Sequence, residues 1–185
     1  MGIVGDSLDQ AAQAVATRPI PRSAGAQMRY LVKQHKGSTK AVAGLLGVSQ
    51  RTVERYVKDQ IKQPKPALAD KMETEVRRRW QPLVRKRARD RAAQQTGLVI
   101  ETRARFGFTA APGTTDDGRM RRITQHLPPE FTGRLLAAQD AGATETELQA
   151  LAAEGLQEVY FKDGGQRAQG LLVEFTDIDY IDIAY

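Results

Sequence analysis

Five side chains between positions 50 and 55 are of the types that read or grip a nucleic acid: Gln50, Arg51, Thr52, Glu54 and Arg55. Glutamine can pair with adenine and arginine with guanine, while threonine can touch a phosphate or a thymine methyl. A second group is acidic. On a strand, Asp177 and Asp179 would share a face about 7 Å apart, and with Asp182 they suggest a magnesium site of a nuclease or polymerase. The plainer expectation is the polar face of an amphipathic strand, or an edge charged against aggregation. No third catalytic carboxylate or basic partner is evident nearby. A third place is the segment 111–118, where the adjacent hydroxyls of Thr114 and Thr115 precede Asp116 and Asp117. By itself it reads as an exposed turn whose side chains bond their own backbone.

The first group sits in a stretch, 38–58, that predicts two short helices around a tight turn. Val42, Ala43, Leu45 and Leu46 have helical spacing, and Ser38 or Thr39 can cap the first turn. Gly47 stands where a positive φ is needed. Val48 plugs the corner and Ser49 caps the second helix, whose buried face is Val53, Tyr56 and Val57. Ala43, four residues before the glycine, allows close approach. This pattern looks like the helix-turn-helix of DNA-binding proteins, with Gln50, Arg51, Thr52, Glu54 and Arg55 facing outward.

Charge agrees with that reading. Residues 1–96 hold 20 Lys and Arg against 8 Asp and Glu, a net of +12, whereas residues 97–185 hold 8 against 14, a net of −6. The basic half should seek a polyanion with a steep salt dependence. Arg77, Arg78, Arg79, Arg85, Lys86, Arg87, Arg89 and Arg91 crowd a helical stretch over 67–95, bent at Pro82 and anchored by Trp80 and Leu83. These cations, Arg91 apart, are expected to contact phosphates, supplying affinity rather than sequence information. The absence of cysteine excludes disulfides, thiolate zinc sites and cysteine nucleophiles. His35 and His126 are too far apart in sequence to suggest a metal site. No apolar run approaches the roughly 18 residues of a membrane span, and the start lacks a signal pattern. A cytoplasmic, nucleoid-associated protein with no membrane partner is expected. No phosphate-binding GxxxxGK[ST], GxSxG elbow or HExxH is present.

The remaining elements follow from pattern. Residues 6–17 predict a short helix with Leu8, Ala11, Ala12 and Val15 on one face, and 25–35 a first core helix with Met28, Leu31 and Val32 inward. Residues 98–108 begin apolar and then alternate as a strand, with Ile100, Thr102, Ala104, Phe106 and Phe108 on one side. Residues 119–127 predict the returning strand of a hairpin tipped by the 110–118 loop. Pro128 and Pro129 open a helix to Asp140, and Thr144 with Glu147 forms a capping-box pattern for a second. Residues 171–185 predict a terminal strand or strand pair, with phase shifts near Thr176 and Ile181. The fold class expected is α+β: an all-α helix-turn-helix region with a long basic helix over 1–96, then a small antiparallel sheet plus two helices over 97–185.

From its MGIVGDSLDQA start, through the helix-turn-helix, to its FTDIDYIDIAY end, the chain resembles the telomere terminal proteins of linear actinobacterial (Streptomyces-type) chromosomes and plasmids. The resemblance implies covalent attachment to DNA 5′ ends, with a threonine hydroxyl accepting the first deoxynucleotide and priming the filling of terminal gaps. That threonine maps onto Thr114, with its neighbour Thr115 not separable by sequence. The implied partners are telomeric DNA, a telomere-associated DNA-binding protein and a DNA polymerase. The chain itself would be a nucleotide acceptor rather than an enzyme. It would have no cofactor of its own, the divalent metal and dNTP arriving with the polymerase. The competing expectation is a helix-turn-helix transcription regulator whose C-terminal half dimerises or senses a ligand.

Overall fold

A computed structural model describes residues 2–109, 120–166 and 170–185. The chain is α+β, and it divides into two compact units: residues 16–83, and residues 1–15 joined with 84–185. The basic unit is therefore an insertion. This differs from the division at Gly97 expected from composition. The reason is that helix α1 (Ile3–Ala14) and the start of the segment after residue 83 have apolar partners in the sheet unit. Val4, Leu8 and Ala11 of α1 and Ala92 belong to the same buried cluster as Ile100 and Phe106. With the boundaries so drawn, residues 16–83 carry fifteen Lys and Arg against five Asp and Glu, a net of +10, and the remainder is −4.

Helices α2 (Ala24–Gln34), α3 (Thr39–Leu46), α4 (Gln50–Val57) and α5 (Pro66–Arg79) build the inserted unit. Their shared core includes Met28, Leu31, Val42, Val53, Met72 and Val76, all fully buried. The long basic helix expected after Pro66 is broken. Helix α5 ends before Trp80, Gln81 adopts a left-handed φ of 45°, and α6 (Pro82–Arg91) starts afresh. A proline's ring disfavours right-handed helical geometry in the residue before it, and Gln81, left-handed and bonded to Thr17, turns the chain there rather than letting one helix bend. Of the two expected anchors, Trp80 packs on the unit's core with its ring 4.9 Å from that of Tyr30, whereas Leu83 is 67% exposed; Met72 and Val76 hold α5 in that core. Thr17 and Gln81 exchange two hydrogen bonds, Thr17 N–H to Gln81 Oε1 at 2.9 Å and Gln81 Nε2 to Thr17 Oγ1 at 3.0 Å, so the unit's two ends meet.

In the other unit a π-helical turn (Ala92–Thr96) follows α6. A three-stranded antiparallel sheet has the order β2-β1-β3, with β1 (Leu98–Thr109), β2 (Met120–Leu127) and β3 (Leu172–Ala184). Leu98, Ile100, Thr102, Ala104 and Phe106 alternate inward along β1, as the sequence pattern requires. Helices α1, α7 (Pro129–Asp140) and α8 (Glu145–Leu156) enclose that core. The expected capping box at Thr144 and Glu147 is present. Glu145 beside it caps a different helix, accepting from Val4 N–H at 2.8 Å and Gly5 N–H at 3.2 Å at the start of α1. Strand β3 is continuous, not a pair. Its pairing with β1 skips Asp179 and Thr176, which places one bulge where the phase shift predicts it and the other two residues before Ile181.

The outer sheet face is polar. Arg122 donates through Nε (3.2 Å) and a terminal amine (2.6 Å) to Glu101 Oε1, and the Tyr180 hydroxyl donates to the same oxygen at 2.9 Å. Those bonds, Arg122's first and Tyr180's second, hold the Glu101 carboxyl below the usual glutamate range. A carboxylate depressed in this way contributes fully above its unfolded pKa, and the contribution fades as pH falls through the folded value. In a carboxyl NMR titration Glu101 should have its midpoint below that of an ordinary glutamate. Arg122→Gln should move the midpoint up further than Tyr180→Phe does, and equal or absent movement would disprove the network.

Two left-handed glycines separate conformational cost from steric cost. Gly47 has φ 70° with only Lys71 Nζ near a would-be Cβ, at 3.9 Å, whereas at Gly97 (φ 71°) that Cβ would lie 2.0 Å from the Leu127 carbonyl oxygen. Gly47→Ala should cost about 1–2 kcal/mol, and Gly97→Ala more than about 3 kcal/mol. The single tryptophan, Trp80, lies in the inserted unit. Its fluorescence melt should therefore shift for Gly47→Ala and not for Gly97→Ala, which circular dichroism would detect.

Candidate nucleic-acid interface

The helix pair of the inserted unit forms as its sequence requires. Ser38 Oγ accepts from Ala41 N–H at 3.1 Å and opens α3, and Ser49 Oγ accepts from Thr52 N–H at 3.2 Å and opens α4. Between them Gly47 takes φ 70°, ψ 36°, and Val48 N–H returns to the Ala43 carbonyl at 3.0 Å. This is the glycine-centred end of a helix that leaves the chain free to turn. Val53 and Tyr56 are buried beneath α4. The far end of α4 is tied to α2 by Arg29, which donates to the Val57 carbonyl at 3.0 Å and to Asp59 at 2.6 Å.

What α4 turns outward is a shallow concave surface lined by Gln50, Arg51, Glu54, Arg55, Lys58 and Gln60. Arg51, Arg55 and Lys58 are exposed, and among the described residues none of the three forms an ion pair. Such unneutralised cations over a rigid helix suit a phosphate backbone or the acceptor edge of guanine. Thr52 is placed differently from the expectation. Its hydroxyl lies 2.9 Å from Ser49 Oγ and belongs to the helix cap. Sequence reasoning missed Thr39, the first residue of α3, whose Oγ1 accepts from Gln50 Nε2 at 3.0 Å. The available signal was positional, since Thr39 and Gln50 each follow a capping serine.

The basic run is split between the units, Arg77, Arg78 and Arg79 falling in one and Arg85, Lys86, Arg87 and Arg89 in the other. Most of it is laced with carboxylates. Arg77 Nε donates to Glu73 at 2.9 Å, Arg78 to Glu75 at 3.0 Å, Arg79 pairs with Glu75, and Lys86 donates to Asp90 at 2.8 Å. The exposed helix pairs among these contribute about 0.3–0.5 kcal/mol each, whereas the side chains of Arg79 and Glu75 are only 22% and 19% exposed. Arg89 departs further from the expectation. Its guanidinium donates to Gln139 Oε1 at 2.8 Å, the Leu136 carbonyl at 3.2 Å and Asp140 Oδ1 at 2.5 Å, at the C-terminal end of α7, where a cation opposes the helix dipole. That leaves it a structural role. Arg87 is exposed and shares a hollow with Arg91, Thr96 and Tyr185.

Thr114, Thr115, Asp116 and Asp117 lie outside the described residues. The segment that holds them joins neighbouring antiparallel strands, after Thr109 of β1 and before Met120 of β2. Asp179 pairs with Arg103 at 3.0 Å. Among the described residues no group of three His, Cys, Asp or Glu is arranged to hold a metal ion, and no helix is long and apolar enough to cross a membrane.

The geometry separates two classes of cation. Arg51→Ala or Arg55→Ala should weaken binding to duplex DNA at least tenfold at moderate salt and lower the slope of log affinity against log salt by about one. Arg77→Ala, already compensated by Glu73, should change affinity less than threefold in the same titration. Fluorescence anisotropy across a salt series measures both.

The chain matches no protein-family profile, no curated protein and no solved structure.

Proposed function

We propose that the chain is a telomere terminal protein. On this reading the inserted helical unit binds DNA at the end of a linear replicon. The other unit offers the Thr114 hydroxyl as primer for a DNA polymerase acting with a telomere-associated DNA-binding partner. The observation that carries the DNA-binding part is the uncovered, uncompensated face of α4 in a unit of net charge +10. The priming part rests on the sequence resemblance and on the location of residues 110–119 between two adjacent strands, a common carrier of functional side chains.

The chemistry asked of this chain is modest. The threonine oxygen bonds to the α-phosphorus of a dNTP as the bond to the β-phosphate oxygen breaks and pyrophosphate leaves. The hydroxyl proton passes to solvent or to a base in the polymerase. Metal ions held with the polymerase would lower the hydroxyl's pKa and stabilise the transferring charge. The chain itself supplies position and DNA proximity.

The test is to incubate the protein with polymerase, partner protein, telomeric DNA and α-labelled dNTP, then resolve it under denaturing conditions. Wild type should retain label, Thr114→Ala should lose it, and Thr115→Ala should keep most of it. Label on Thr114→Ala would move the acceptor. Absence of label on every variant, with tight binding to a palindromic duplex, would favour a transcription regulator.

A further inference from the structure

The side-chain amide of Gln50 has two N–H donors, and both are taken. Nε2 lies 3.0 Å from Thr39 Oγ1 and 3.0 Å from Glu54 Oε1. A carboxylate only accepts, so it is the nitrogen and not the carbonyl oxygen that must face Glu54, and the amide orientation is fixed by chemistry. Gln50 is exposed at the start of α4 and Glu54 stands one turn along the same face. What this pair has left for a ligand is the Gln50 carbonyl oxygen and the second Glu54 oxygen. Both accept; neither donates. Arg51 and Arg55 beside them are donors only.

In the major groove, adenine and cytosine present an amine, whereas guanine and thymine present acceptors. Two acceptor oxygens set against guanine or thymine would repel and leave desolvated polar groups without partners, which is costly. Adenine carries an acceptor nitrogen next to its amine, which would meet the second oxygen. Cytosine has a C–H there instead. A cytosine amine also places guanine on the opposite strand of the same pair, within the chemistry of an arginine.

We infer that Gln50 and Glu54, locked together by Thr39, read the exocyclic amine of a cytosine in the major groove and discriminate against guanine and thymine at that position. This rests on the DNA-binding reading of α4. It also revises the role expected for Gln50. A glutamine with both N–H groups engaged cannot make the two-bond contact to adenine, so Thr39 acts as a positioning residue that sets the base preference.

The experiment is selection from a randomised duplex library by the full chain, comparing wild type with Thr39→Val and Glu54→Gln. Trp80 fluorescence melts confirm that each variant's inserted unit is folded. Wild type should enrich cytosine at one position of its site. Thr39→Val releases one Gln50 N–H for the acceptor nitrogen of adenine, and should shift that position from cytosine toward adenine by roughly tenfold, the scale of one paired base contact. Glu54→Gln gives the helix a donor and should admit guanine or thymine there. A merely structural role for Thr39 would weaken all sequences alike and leave the preference in place. Selection of a site indifferent to both substitutions would overturn the inference while leaving DNA binding by α4 intact. Failure to enrich any duplex would overturn both.

Discussion

Repulsion among fifteen cations in a unit of 68 residues is the constraint around which the inserted domain is arranged. Its five acids are not spread evenly. Glu73 and Glu75 compensate Arg77, Arg78 and Arg79 on α5, and Asp59 compensates Arg29 where α2 meets the end of α4. Glu54 is the acid on the outward face of α4, and it is bonded to Gln50 rather than to an arginine. The carboxylates thus neutralise the supporting helices and leave Arg51 and Arg55 unmatched. A cationic patch built this way is stable because the core of Met28, Leu31, Val53 and Met72 holds it, and it lowers its own energy when a polyanion arrives.

The second unit obeys a different rule. Its sheet is covered on one face, and its outer face meets water through cross-strand pairs such as Glu101 with Arg122 and Arg103 with Asp179. Two of its buried polar side chains, Thr102 and Gln157, are bonded to the backbone. The Thr102 hydroxyl donates to the Tyr180 carbonyl at 2.8 Å beside the bulge, and Gln157 Oε1 accepts from Val173 N–H at 2.8 Å. Both bonds hold β3 where its regular ladder is interrupted or begins.

Much of this was legible in the sequence where the signal is local. Ser38, Gly47 and Ser49 state the helix ends because a cap or a positive φ depends on one residue's own chemistry. The alternation from Ile100 to Phe106 states the strand for the same reason. What escaped was set by distant partners. Charge, the visible signal, places residues 1–15 and 84–96 with the basic half, yet Val4, Leu8 and Ala92 are claimed by the core of the sheet. Arg89 resembled its neighbours in the run until α7 supplied the acceptors. Thr39 lies eleven residues before Gln50, and no periodicity couples them. The break before Pro82 was readable as a disturbance, but whether the chain bends or turns is decided by the contacts of Trp80 and Gln81.

The cap on the first helix comes from very late in the chain. Glu145 closes the start of α1 from 141 residues beyond Val4, and α1 also packs beside β3, whose last residue is Ala184. During synthesis, then, α1 has no partners while residues 16–83, a compact unit made of one continuous stretch, emerge and can fold. The inserted module can mature while α1 still waits for Glu145 and β3 to be made. A ribosome-bound nascent chain of this protein would display a finished helical domain long before its sheet could close.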